Sequence, residues 1–339
     1  MRCLTLADAL RKHGAQTRFI SRYLPKHLRN KLLVNGHEFA LLESAQNDLA
    51  LDELTHATWL GVGQPQDAAD SVQRLSDKTW DWLIVDHYAL DFRWESTLRQ
   101  KANRILAIDD IADRHHDCDI LLDQNFYLDM EMRYVGKVPA HCQLKLGPRY
   151  ALLRDEFRKL HERIKPHRGS VNRILVFFGG VDAENYTGRA IEALSIIDTP
   201  DLEVDVVIGA QHPCREQIEA ACAQQHFVCH VQTSRMAELM ETADLAIGAA
   251  GSASWERCCL ALPCVVGAVA LNQVQAAKDL SQYGAVRYVG TRQEITVERL
   301  RTEIERACSR DWLISAAALG VKLVDAQGAE RIIECMEAI

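Results

Sequence analysis

Short apolar runs that stop on polar or small residues recur along this chain, and that recurrence restricts the fold more than any other feature. Asp81 to Asp86, Arg104 to Asp110 and Asp119 to Asn125 carry it in the first half. Arg173 to Phe178, Glu203 to Ile208, Phe227 to Val231, the run opening at Leu245, Pro263 to Val269 and Val286 to Val289 carry it in the second. Each is short enough for a strand and apolar enough to be buried on both faces. Helical spacing separates them, at Gln66 to Leu75 and then at Ala183 to Leu194, Cys214 to Gln224, Met236 to Thr242 and Asn272 to Tyr283. Strand and helix in alternation make an α/β fold with parallel sheets. In such sheets ligands bind outside the carboxyl ends of the strands, so the residues that end these runs are the functional candidates.

The chain has 339 residues, more than one domain usually holds, and 48% of them are hydrophobic, enough for two cores. The polar, basic stretch Lys159 to Asn172, with Pro166 and Gly169, reads as the linker. The expected division is residues 1–160, residues 170–320 and a closing helix at 321–339. The second domain has a full set of alternating elements. The first opens instead on a helix, Cys3 to Lys12, stopped by Gly14 and followed by short strands at Arg18 to Ile20 and Glu38 to Leu42. A doubly wound domain normally opens on a strand, so its first strand is expected to be missing.

The stretch from Leu245 to Pro263 is the most informative. An apolar run passes through Gly248-Ala249-Ala250-Gly251-Ser252 into helical spacing, with Glu256 one turn later. Small residues at a strand-to-helix turn let backbone amides approach an anion, and Glu256 is placed to accept hydrogen bonds from a ribose diol. An ordinary turn with a small-residue cap has the same pattern. Gly179-Gly180-Val181-Asp182 ends another run, as a phosphate-facing loop or a plain turn, and Asn272 with Gln273 stands at a third strand end, to hold a ligand or cap a helix. Their convergence in one domain favours a nucleotide.

A net charge of -8 is wrong for a general nucleic-acid or anionic-membrane binder. No apolar run approaches the ~20 residues of a membrane span. No signal-peptide pattern opens the chain, and the eleven cysteines contain no Cys-x-x-Cys pair, so a cytoplasmic protein with reduced thiols is expected. His115, His116 and Asp117 are adjacent in sequence, and adjacent residues rarely converge on one ion; no metal site is expected.

Asp86-His87-Tyr88, Asp109-Asp110, the run His116 to Leu122, the run Tyr150 to Phe157, Gly179 to Asp182, Ser252 with Glu256, and Asn272-Gln273 together resemble the UDP-sugar hydrolases of pseudaminic acid biosynthesis. The resemblance implies two Rossmann-like domains of the GT-B type, as in the peptidoglycan N-acetylglucosaminyltransferase. It implies metal-independent, inverting hydrolysis of UDP-2,4-diacetamido-2,4,6-trideoxy-β-L-altropyranose to UDP and the free sugar, with no cofactor. By the same resemblance Glu256 and Asn272 lie at the nucleotide, Ser252 and Gly180 near the diphosphate, and Tyr88 and Arg154 on the sugar side. The family's general base is a histidine in a Gly-x-Gly-His loop that would fall two residues before Met1, with Arg2 matching the arginine that follows it. A misassigned start is the favoured expectation; a true truncation would leave His87, or less aptly His13, as substitute base. A GT-B glycosyltransferase and a catalytically dead UDP-sugar binder are the alternatives. Neither sugar specificity nor oligomeric state follows from the sequence.

Overall fold

The apolar runs form parallel strands in a computed structural model, which describes residues 1–43, 52–197 and 201–339. The chain divides into two units. The first comprises Met1–Gln124, Asp129–Leu152 and Gly328–Ile339; the second comprises Asn125–Leu128 and Leu153–Gln327.

The first unit opens on α1 (Arg2–Lys12), whose Leu4, Leu6, Ala7 and Ala9 are buried and whose last turn carries Arg11 and Lys12, complementing the helix dipole. Gly14, at φ 86°, turns the chain away. There follow β1 (Arg18–Ser21), α2 (Lys26–Val34), β2 (Glu38–Leu41), α3 (Gln64–Arg74), β3 (Trp80–Val85), α4 (Phe92–Leu98), β4 (Ala102–Ile108), β5 (Ile120–Asp123) and β6 (Gln143–Leu146). Among the described residues β1 and β2 pair as one parallel sheet, and β3-β4-β5-β6 form another in that order. Every residue of β5 is buried, as a strand with covered faces requires. One side of the four-stranded sheet packs Ile105, Ala107 and Leu121 against Trp94 and Leu98. The other packs Leu106, Ile108, Ile120 and Leu122 against Leu6 and Ala9.

The second unit holds α5 (Asp155–His161), β7 (Arg173–Phe177), α6 (Tyr186–Ser195), β8 (Glu203–Ile208), α7 (Arg215–Gln225), β9 (Val228–Val231), α8 (Met236–Thr242), β10 (Leu245–Ala249), α9 (Ala253–Cys259), β11 (Cys264–Ala268), α10 (Val274–Tyr283), β12 (Val286–Thr291), α11 (Val297–Ala307) and α12 (Arg310–Leu323). Its strands are parallel in the order β12-β11-β10-β7-β8-β9. The first strand, β7, therefore lies inside the sheet; the chain builds outward on one side through β8 and β9, then restarts on the other with β10. That is the doubly wound order, and the reversal between β7 and β10 opens a crevice at their carboxyl ends. Leu245, Ile247 and Val176 beneath it are fully buried, each worth about 1.5–3 kcal/mol against exposure. The last helix, α13 (Gly328–Glu337), returns to the first unit, where Ile332, Ile333 and Met336 pack with Leu6.

The division thus falls at Leu152–Leu153, ahead of the basic stretch Lys159–Asn172, and residues 321–339 split between the end of α12 and a helix of the first unit. The helices α2, α4 and α5 and the strand β6 go beyond the expected elements. Only Leu32 is buried in α2, so no apolar stripe marks it; β6 is a four-residue edge strand with no fully buried residue. No helix among the described residues is long and apolar enough to cross a membrane.

Candidate functional site

Two polar clusters lie at strand carboxyl ends, one in each unit. In the second unit the register pairs Gly248 of β10 with Phe177 of β7, so the loops that leave these strands, Gly179–Asp182 and Ala250–Ser252, emerge side by side at the crevice. A glycine is required at 248: a Cβ there would stand 2.1 Å from the Phe177 carbonyl oxygen and 2.7 Å from Arg257 Nη1. Gly179 adopts φ 109°, reserved in practice for glycine, whereas a Cβ on the exposed Gly180 meets nothing within 4 Å. The space over Gly180 is open.

Asp182 ends the first loop and turns inward. Its carboxylate accepts from Tyr186 N at 3.0 Å and Thr187 N at 2.8 Å, from the Thr187 hydroxyl, and lies 3.4 Å from His212 Nε2. It anchors the start of α6 and leaves the ligand-facing part of this loop to Gly180 and Val181. Ser252 precedes α9 with its hydroxyl making no capping bond, and it is exposed. Asn272 does not cap either: it sits in a 3-10 turn, Leu271–Gln273, while Gln273 accepts from Val269 N at 3.0 Å.

Glu256 lies one turn into α9. Arg257, buried beside it, donates to the Ala249 carbonyl at 2.6 Å and to Ser254 Oγ at 3.2 Å, locking α9 to the end of β10. His161 Nδ1 donates to the Cys259 carbonyl at 2.6 Å and ties α5 to the same helix. Arg154, the residue before α5, then reaches Glu256 at 3.3 Å and Glu156 at 2.6 Å. Burial pushes the Glu256 carboxyl above its ordinary range, while Arg154 draws it back. The arrangement offers open backbone and a hydroxyl to an anion, and a desolvated carboxylate to a diol.

In the first unit, β3 and β4 deliver Asp86 and Asp110, which Arg2 joins. Its guanidinium grips Asp86 through two bonds of 3.1 and 2.7 Å and reaches Asp110 at 3.0 Å. Tyr88 donates to Asp110 at 2.6 Å. Burial alone would raise the Asp86 carboxyl, but the Arg2 pairing holds it below the usual carboxylate value. Burial and Asp110 push the Tyr88 phenol well up, so it stays protonated as a donor. His87 accepts the Ala89 amide at Nδ1, 3.1 Å, and burial lowers its pKa. The neutral ring therefore carries its proton on Nε2, presenting a donor where a substitute base needs an acceptor. His13 lies elsewhere, beside Glu330 and Glu337.

The other strand-end carboxylates belong to the interior. Asp109 accepts from Ala112 N and Tyr134, pairs with Arg114 at 3.0 Å and faces His116 Nε2 at 3.6 Å. His116 also hydrogen-bonds Glu95 at 2.8 Å. Burial would lower its pKa, but these two carboxylates outweigh burial and raise it to about 9. A histidine pKa raised on folding stabilises most below its unfolded value of about 6.5, and that stability is lost as pH rises through about 9. Thermal denaturation is expected to give a lower midpoint at pH 9.5 than at pH 6.5, and His116→Gln is expected to flatten this difference; an unchanged slope in the variant contradicts the assignment. His115, next to it, instead packs its ring against Phe92. Among the described residues no group of three or more His, Cys, Asp or Glu side chains is disposed to hold a metal ion.

The structure therefore places Gly180, Ser252, Glu256, Asn272 and Arg154 in the second unit, where Arg154 meets Glu256, and Tyr88 in the first. Arg2 and Asp110 complete the second cluster. Only the chemical complementarity of an arginine and two aspartates hinted at this, because more than eighty residues separate them in sequence.

The fold is an α/β fold of the GT-B type, with parallel sheets in both units. The crystal structure of MurG from Acinetobacter baumannii shares it, with a TM-score of 0.69 at 15% identity over 100% of this chain and 95% of that one. Two curated proteins are similar in sequence. One is the UDP-2,4-diacetamido-2,4,6-trideoxy-β-L-altropyranose hydrolase of Campylobacter jejuni, 32% identical over 115 residues, which are 34% of this chain and 40% of that protein. The other is the spore coat polysaccharide biosynthesis protein SpsG of Bacillus subtilis, 28% identical over 198 residues and 58% of each chain. The chain thus matches about half the length of these relatives. No protein-family model matches it.

Proposed function

We propose that this chain is a UDP-sugar-processing enzyme that holds the nucleotide at the crevice between β7 and β10, and that its reaction is hydrolysis of a UDP-linked diacetamido-trideoxy sugar. The observation that carries the reading is the sheet order: it sets the open Gly180 loop and the Ser252 turn side by side, with the desolvated Glu256 next to them. The diphosphate lies against the Gly180 backbone and Ser252, and the ribose hydroxyls donate to Glu256. Asn272 borders the nucleotide. In the reaction, water bonds to the anomeric carbon and loses a proton to solvent as the bond from that carbon to the phosphate oxygen breaks, inverting the centre and releasing UDP. Negative charge grows on the leaving diphosphate, where preorganised amides and Ser252 stabilise it. Arg2, Asp86, Asp110 and Tyr88 are the sugar-recognising groups of the first unit.

The Campylobacter hydrolase supports this substrate class by its name, and the GT-B fold is compatible with transfer to an acceptor as well. Incubating the chain with UDP-2,4-diacetamido-2,4,6-trideoxy-β-L-altropyranose in buffer separates the cases. UDP released with the free sugar supports hydrolysis. UDP released only when an acceptor is added assigns a glycosyltransferase, and binding with neither product assigns a UDP-sugar binder.

Glu256 makes the nucleotide affinity pH-dependent on this reading, and Arg154 sets where along the pH scale the change falls. Only ionised Glu256 accepts both ribose hydroxyls, so affinity falls as pH drops through its raised pKa. Arg154→Ala removes the cation that favours ionisation, so the fall begins at higher pH. UDP affinity at pH 8 is expected to stay within a few-fold of the parent, with turnover of the sugar nucleotide reduced further. Titration calorimetry across pH 5–8 tests this, and superimposable profiles for the two proteins contradict it.

A further inference from the structure

Trp59 is 62% exposed, in a 3-10 turn (Ala57–Leu60) held down by the buried Leu60. A single exposed tryptophan is unremarkable by itself. This one belongs to a group of three rings. Its centroid lies 4.4 Å from His56 and 5.9 Å from Tyr88, and His56 lies 5.5 Å from Tyr88, with all three planes tilted by 40–49°. Each ring thus lies within 5.9 Å of the other two, and together they make one contiguous aromatic group. Tyr88 fixes the group in place, because its hydroxyl is bonded to Asp110, itself held by Arg2. The rings thus stand beside the polar cluster at the carboxyl ends of β3 and β4, where an α/β sheet receives ligands.

We propose that His56, Trp59 and Tyr88 form a stacking wall for the apolar face of a deoxy-amino sugar, with Arg2 and Asp110 meeting its polar substituents. The inference rests on the UDP-sugar reading and extends it to residues outside the motifs of the sequence. Aromatic surface with a few placed polar groups is the usual make-up of a small-ligand site. The C–H bonds of a pyranose face and the methyls of 6-deoxy and acetamido groups pack on such rings, which carry large apolar area at low entropic cost. The Tyr88 hydroxyl is committed to Asp110, so Tyr88 meets a ligand with its ring face, while the Trp59 indole N–H and the His56 ring nitrogens lie at the edges of the group. The apolar area of the three ring faces favours a sugar that presents methyl groups to them over a fully hydroxylated hexose.

The test is saturation-transfer-difference NMR on the full chain with the methyl glycoside of 2,4-diacetamido-2,4,6-trideoxyaltrose, which carries no nucleotide. UDP titration calorimetry runs in parallel. Irradiating aromatic protons is expected to transfer saturation to the C6 and acetamido methyls. Trp59→Ala is expected to cut that transfer at least fivefold, Trp59→Phe to retain most of it, and UDP affinity to be the same in all three proteins. His56→Ala gives a second reading of the wall. No transfer in the parent protein, or undiminished transfer in Trp59→Ala, overturns the wall. Trp59-dependent transfer without UDP binding leaves the wall standing and removes the nucleotide reading instead.

Discussion

Glu256→Ala is expected to weaken UDP binding by about a hundredfold. Two hydrogen bonds from ribose hydroxyls to one carboxylate are charge-assisted, and losing such bonds costs about 1.5–3 kcal/mol each, so a combined loss near 3 kcal/mol is a conservative figure. The fold is expected to survive, because Arg154 keeps Glu156 at 2.6 Å, and Arg257 and His161 continue to hold α9 in place. Glu256→Gln keeps one acceptor oxygen and loses less. Titration calorimetry with UDP decides the matter: parent-like affinity in the alanine variant removes Glu256 from the nucleotide site.

Gly248→Ala and Gly180→Ala are expected to fail in opposite ways. The added carbon at 248 meets the Phe177 carbonyl across the β7–β10 ladder, and in the middle of a six-stranded sheet neither strand can give way. Overpacking of this kind costs about 1–3 kcal/mol, and the clash with a central-strand carbonyl puts Gly248→Ala at the upper end, visible as a large drop in the urea midpoint of the second unit. At Gly180 the same carbon enters open space, so stability is expected to stay within about 0.5 kcal/mol. UDP affinity is expected to fall all the same, because the methyl occupies the approach of the diphosphate. A Gly180→Ala protein that binds UDP as the parent does contradicts the placement of the phosphates, whatever its stability.

The second unit was legible in the sequence because its strands are buried on both faces and its turns are marked by small residues. The expected ranges Glu203 to Ile208 and Met236 to Thr242 coincide with β8 and α8. The Ser252–Glu256 stretch and the Gly179–Asp182 loop were also visible, and their convergence in one domain was expected; that β7 and β10 are direct neighbours was not, since β8 and β9 lie between them in sequence. Asp182 shows the limit of motif reading: the residue type suits a ligand, and its three bonds to Tyr186 and Thr187 commit it to the start of α6. Likewise the aspartates at strand ends look alike in sequence. Asp109 is enclosed by Arg114, His116 and Tyr134, whereas Asp86 and Asp110 meet Arg2. His56 and Trp59 carried no signal, because neither sits at the end of an apolar run and their partner Tyr88 lies far along the chain.

The most direct test of the nucleotide assignment is a crystal structure of the chain with UDP. The account predicts the diphosphate against Gly180 and Ser252, with the ribose hydroxyls within hydrogen-bond distance of Glu256. UDP bound at the Arg2–Asp86–Asp110 cluster of the first unit, with the β7–β10 crevice empty, would contradict it.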